Sequence, residues 1–159
     1  LLPGRHKIVI FSQFVRMLAI MQTWLDAMGV PYEILTGQTK DRQGVVNRFN
    51  EDARIRIILV SLKAGGTGIN LTAADYVFHY DPWWNPAVEN QASDRVHRIG
   101  QNKPVFVYKM LTKNTVEDKI YQIQFQKKAV YQQLLNESAG FSPILKAEDV
   151  DYLLQDYTD

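Results

Sequence analysis

The residue pattern predicts an α/β domain, a parallel sheet with helices on both faces, and three observations predict it. Short runs of β-branched and aromatic residues alternate with amphipathic stretches of helical spacing. The runs are apolar along most of their length, as strands buried on both sides are. Glycine, proline and capping residues fall between the two kinds of segment, where turns are needed. Strands that alternate with helices pair in parallel through right-handed crossovers, and the loops at their carboxyl ends carry function.

Lys7–Phe11 reads as a buried strand. The helix after it has Phe14, Leu18, Met21, Leu25 and Met28 on its apolar face and is stopped by Gly29 and Pro31. Tyr32–Leu35 is the second strand. Asp41 then caps a helix that turns Val45, Val46 and Phe49 inward. Ile55–Val60 is the third strand, Asp75–Tyr80 the fourth and Val105–Leu111 the fifth. Between the last two, a helix starts at Pro86, with proline in the first helical position behind an Asn85 cap. A longer helix begins at Asn114, where Asn114 and Glu117 resemble a capping box. Val116, Ile120, Ile123, Val130 and Leu134 repeat along it until Gly140 and Pro143 end it.

Composition bounds the function. At 159 residues, 46% of them apolar and 11% aromatic, the chain can build one core. There is no cysteine, which excludes disulfides and thiolate metal sites, and three separated histidines form no ligand cluster. No apolar run approaches the roughly 20 residues of a membrane span, and Leu1–Leu2–Pro3–Gly4 resembles neither a signal nor a transit peptide. A soluble intracellular protein, or an excised piece of one, is expected, with no membrane partner. The net charge of +1 conceals an asymmetry, because five acids and no bases follow Lys146. The body is therefore moderately basic, which suits a polyanionic partner.

Several segments have spacing that points to chemistry. Gln91, Arg95 and Arg98 fall at i, i+4 and i+7, one stripe of a helix. Two guanidinium forks so placed can hold a highly charged group of oxygens, such as the γ-phosphate of a nucleotide at its transition state. A solvated basic helix end, with Arg98 paired to Asp94, accounts for the same spacing. Gly65–Gly66–Thr67–Gly68 follows the third strand, where backbone N–H groups of a glycine-rich turn can cradle phosphate. No Gly-Lys-Ser/Thr follows, so it is not a P-loop, and a tight turn needing positive φ explains it as well. Thr36–Gly37–Gln38–Thr39, with Lys40 and Arg42, is a polar turn suited to phosphate contacts or to a capped helix start. Adjacent Trp83 and Trp84, set among prolines, cannot both enter one core. Trp83 is assigned to packing and His97 to a structural role.

Three of these segments stand in an order that resembles the C-terminal motor lobe of Swi/Snf-type helicase-like ATPases: KIVIFSQF from Lys7, LVSLKAGGTGINLTAADYVFHYDPWWNP from Leu59, and QASDRVHRIGQ from Gln91. The resemblance implies a RecA-like lobe over residues 1–112, a brace helix over 113–140 and an acidic tail or short docking helix over 141–159. It implies an ATP-driven translocase on double-stranded DNA, with Arg95 and Arg98 as catalytic arginine fingers and Gln91, Gly68 and Asn70 toward the nucleotide. Ser61 and the turn at Gly65 would touch the DNA backbone and Trp84 would lie on the tracking side. Lys63, beside Ser61, and Thr36, Gly37 and Arg42 are candidate DNA contacts by residue type.

ATP with Mg²⁺ is the implied nucleotide. Its P-loop lysine, metal carboxylate and water-activating acid are expected on a separate N-terminal RecA-like lobe, so neither Asp81 nor Asp94 takes those roles. The lobe alone should be nearly inactive. A protein cargo on DNA, such as a nucleosome or a polymerase, is the further implied partner. A non-catalytic nucleic-acid-binding or regulatory module and an RNA helicase lobe stay open as alternatives.

Overall fold

The computed structural model describes residues 6–65, 68–81, 83, 86–96 and 104–134, with backbone alone for 86–87 and 126–134. Arg98, Trp84, His97 and the acidic tail lie outside the described residues. The chain divides into two compact units, Leu1–Asp81 with Ala87–Met110, and Pro82–Pro86 with Leu111–Asp159.

In the first unit, β1 (Ile8–Ser12), β2 (Tyr32–Leu35), β3 (Ile57–Ser61), β4 (Tyr76–His79) and β5 (Phe106–Lys109) form one sheet in the order β2-β3-β1-β4-β5. Every pairing is parallel. All five strands fall where the apolar runs place them. The central strands owe their position to composition: all five residues of β3 are buried, and only Ile10 of β1 is not. A strand so apolar is stable only with a helix on each side.

Alternation along the strands sends Ile8, Ile10, Ile57, Leu59, Tyr76 and Phe78 to one face, where Leu18 and Leu25 of α1 (Val15–Ala27) pack. The helix ends as its sequence requires: Gly29 takes φ +63, and the Val30 N–H reaches back to the Leu25 carbonyl at 3.0 Å. Val9, Phe11, Ile58, Val60, Val77 and His79 project to the opposite face, in the layer of α2 (Arg42–Glu51), α3 (Leu62–Gly65) and α4 (Pro86–Ser93). There the Phe11 ring stacks on His79.

α2 is capped at both ends. The Asp41 carboxylate accepts the Gly44 N–H at 2.9 Å, and a Cβ on residue 44 would collide with that carboxylate, so glycine is what lets the cap close. At the other end the Lys7 ammonium donates to the carbonyls of Phe49, Asn50 and Asp52, a cation on the negative end of the helix dipole.

In the second unit, α5 (Val116–Leu134) begins two residues later than Asn114. Asn114 turns the chain at φ +56 and does not cap. Thr115 caps instead, its hydroxyl accepting the Glu117 N–H at 3.3 Å, while the Glu117 carboxylate accepts the Thr112 N–H at 2.9 Å, so the expected box does not form. Asparagine tolerates left-handed φ while threonine does not, which explains the exchange of roles. Of the apolar stripe, Ile123 is buried and Val116 is exposed. The Trp83 carbonyl accepts a hydrogen bond from buried Gln124 in the same unit.

Candidate functional site

Because the strands run in parallel, their carboxyl ends share one edge of the sheet. The register sets Ser12 beside Ser61, Leu35 beside Val60 and Phe11 beside His79. The loops that leave Leu35, Ser61 and His79 therefore emerge together, and they carry most of the residues singled out by sequence.

The Thr36–Thr39 turn closes on itself. The Thr36 N–H donates to Thr39 Oγ1 at 2.9 Å, and the Thr39 N–H returns to the Thr36 carbonyl at 3.2 Å. Gly37 stands at its exposed tip. Arg42 does not simply face solvent: its Nη2 donates to the Ala64 carbonyl at 2.7 Å, linking the start of α2 to α3. Ser61 is buried, Lys63 is exposed, and Gly65 lies against Phe11. A Cβ on Gly65 would stand 2.7 Å from Phe11 Cε1, so glycine is required there by close approach. Positive φ is needed three residues on, at Gly68, which sits at +61 with open space around it.

A second set of contacts ties the loop after Gly68 to Arg95 and to α2. The Leu71 N–H donates to the Arg95 carbonyl at 3.0 Å. Asn50, at the end of α2, holds the same loop from the other side. Its Nδ2 donates to the Asn70 carbonyl at 2.8 Å and its Oδ1 accepts the Ala73 N–H at 3.3 Å.

Of the stripe expected through Gln91, Arg95 and Arg98, the described part, Gln91 to Arg95, is not regular helix. α4 ends at Ser93, and the chain then tightens, with Arg95 N–H to the Ala92 carbonyl at 3.2 Å and Val96 N–H to the Ser93 carbonyl at 2.9 Å. Bonds of the i→i−3 kind turn each residue by about 120° rather than about 100°. Arg95 is thus rotated off the line of Gln91. Gln91 stands exposed, while Nε of Arg95 is buried and has no hydrogen-bond partner among the described residues. A buried guanidinium N–H left unpaired is costly, so such a group stands ready for an acceptor.

Asp81 is engaged otherwise. It is buried at the same edge and accepts from the Ser12 hydroxyl and from the Gln13 N–H at 2.7 Å. Among the described residues no group of three or more His, Asp or Glu could hold a metal ion. No described helix is long and apolar enough to cross a membrane.

Sequence reasoning passed over the residues beneath α4. Glu89 is 1% exposed and pairs with Lys109 at the end of β5. His79, equally buried, has its Nε2 at 2.9 Å from the Ser93 hydroxyl. Burial pushes the His79 pKa down, with Glu89 raising it and Lys109 lowering it. Glu89 and Ser93 stand one helical turn apart, the one sequence signal that could have linked them.

Comparison with known proteins gives these loops a family. The model of the helicase conserved C-terminal domain matches residues 2–100. An uncharacterized ATP-dependent helicase of Mycoplasma pneumoniae is 41% identical over 94% of this chain and 15% of its own length. Protein CHROMATIN REMODELING 19 of Arabidopsis thaliana is 48% identical over 77% of this chain and 16% of its own. The chain thus spans about a sixth of the length of these relatives. Among solved structures, the C-terminal part of the Fun30 ATPase domain superposes with TM-score 0.77 at 33% identity, over 96% of this chain and 46% of that one. The Sulfolobus solfataricus SWI2/SNF2 ATPase core domain gives 0.74 at 33% identity, over 99% of this chain and 32% of that one. An all-parallel RecA-like sheet and this set of similarities together establish that the chain belongs to the helicase conserved C-terminal domain family, as a C-terminal lobe of the Swi/Snf type.

Proposed function

We propose that this lobe is the second half of an ATP-driven translocase on double-stranded DNA, and that Arg95 and Arg98 act as its arginine fingers. The observation that carries the reading is the buried, unpartnered Nε of Arg95, held by its own carbonyl to the Gly68–Leu71 loop. Gly68 and Asn70, with Gln91 nearby in sequence, would meet the nucleotide at that loop. A buried guanidinium N–H with an open hydrogen-bonding position would gain most from the charge that develops on a transferring phosphoryl group.

Asp81 and Asp75 are both engaged by neighbouring groups. The residues here therefore fit the nucleotide's phosphates and not its Mg²⁺, whose ligands we assign to an N-terminal RecA-like lobe. Residues 113–140 would be the brace helix, and residues 141–159 an acidic tail or short docking helix. On the same edge, Thr36, Gly37, Arg42, Ser61, Lys63 and Gly65 would follow the phosphate backbone of a duplex, a role we also propose for Trp84. Such contacts repeat along DNA without reading bases, as tracking requires. Buried Ser61 would contribute through its backbone. A cargo such as a nucleosome or polymerase would be selected by parts outside this lobe, in the interior of the cell.

The test joins this lobe to the N-terminal lobe it would work with and measures ATP turnover with duplex DNA, with RNA and with neither. Stimulation by duplex DNA, and almost none for the isolated lobe, is expected. Turnover stimulated by RNA alone makes it an RNA helicase lobe, and no turnover in any mixture makes it a non-catalytic binding module.

A further inference from the structure

We infer that the Glu89–Lys109 ion pair and the His79–Ser93 hydrogen bond form a two-point clamp that sets how Arg95 is presented, which makes these four positioning residues of the motor. The inference rests on the finger reading of Arg95.

His79 and Lys109 are register partners at the ends of β4 and β5, so their side chains leave the same face of the sheet, side by side. Above them, Glu89 and Ser93 lie one turn apart on α4 and so share one helical face. Two adjacent strand ends thus grip two successive turns of one helix. One such contact would leave a helix free to roll about it. Two in line fix its rotation and its position along its axis.

Burial makes the clamp stiff. Glu89 is 1% exposed and the Lys109 side chain 30%, so their attraction is only partly screened by water, and Phe11 stacks on the far side of His79. The helix so held continues directly into the tightened turn that carries Arg95. A slip of one residue along α4 would move that turn by about 1.5 Å and about 100°. Displacements near 1 Å at a reacting centre cost about a hundredfold in rate. An apolar underside would have packed the helix at least as well, since a buried ion pair is seldom the more stable choice. What the polar pairs add is a single allowed register.

The experiment uses the two-lobed protein with saturating duplex DNA. Removing one charge alone strands the other and risks the fold, so the main variant is the matched neutral pair Glu89→Gln with Lys109→Met, with Ser93→Ala as the milder second variant. Melting curves and DNA affinity verify that each variant is folded. The clamp predicts a kcat about 10- to 100-fold lower in the neutral pair, with KM for ATP changed less than about twofold, and a smaller drop in the same sense for Ser93→Ala. Lys109→Arg, which keeps the pair, should restore most of the rate. Folded variants with unchanged kcat overturn the inference, as does a fall in turnover that merely follows the loss of folded protein. Arg95→Ala is measured alongside: full turnover there overturns the finger reading, while lost turnover there with a normal neutral pair overturns only the clamp.

Discussion

Two loops lie on the connections that follow neighbouring strands β2 and β3, and they are held in opposite ways. The Thr36–Thr39 turn is closed by hydrogen bonds among its own residues. The Gly68–Ala74 loop is held from outside, by Asn50 at the end of α2 and by the carbonyl of Arg95 beyond α4. A loop that carries its own bonds keeps its shape wherever the chain takes it. One whose bonds come from two other elements must move when they move. The first is suited to a repeated grip on a uniform backbone, and the second can link events at a nucleotide to the helices on either side of it.

The largest effect is expected at Gly65, at the end of α3 ahead of the tied loop. An added methyl meets the buried Phe11 ring, so Gly65→Ala should lower stability by about 1–3 kcal/mol in thermal melting. An exposed helical glycine would instead gain up to about 1 kcal/mol from the same change. The sign of the shift therefore decides whether close packing rules this position.

Asn50→Ala comes next. It removes two hydrogen bonds to the tied loop and should cost about 1–2 kcal/mol, with a raised KM for ATP. Thr39→Ala, within the self-closed turn, should cost about 0.5 kcal/mol and leave KM alone. Equal effects on KM would erase the distinction between the loops. At exposed Lys63, an alanine should lower the slope of log affinity for duplex DNA against log salt by about one, as loss of one phosphate contact does.

The smallest effects concern pH. His79 has a folded pKa below its usual value of about 6.5, so the unfolded chain takes up the proton first. Stability should then fall as pH drops below about 6.5, and His79→Gln should flatten that limb of a melting-temperature profile. Asp52 is held at about 2 by Arg54. Its contribution is complete above about 4 and is lost as pH falls through 2, and Arg54→Ala should remove that acid limb.

Much of this was legible in the chain, and the boundary is a physical one. The five strands, the Asp41 cap and the Gly29 stop are set by local chemistry, so residues near one another in sequence reveal them. The family's loops were legible because their residue order is distinctive. The ties were not. Nothing in the sequence brings Lys7 to the carbonyls that end α2, Asn50 to Asn70, or Lys109 to Glu89, because these meetings are made by crossovers that bring distant segments side by side. The regular helical stripe through Gln91 and Arg95 failed for a related reason. Spacing assumes 3.6 residues per turn, while the Leu71 bond holds this turn beyond the end of α4, where it is tighter. At the start of α5, composition suggested the cap but not which of two neighbours would serve.

The most direct test of the account is single-turnover ATP hydrolysis by the two-lobed protein on duplex DNA, comparing wild type with Arg95→Ala at saturating nucleotide. An arginine finger predicts a rate lower by about 10³–10⁵ while nucleotide and DNA affinities stay within a few fold. An unchanged rate would contradict the account and leave the buried Nε of Arg95 as a structural feature of this turn.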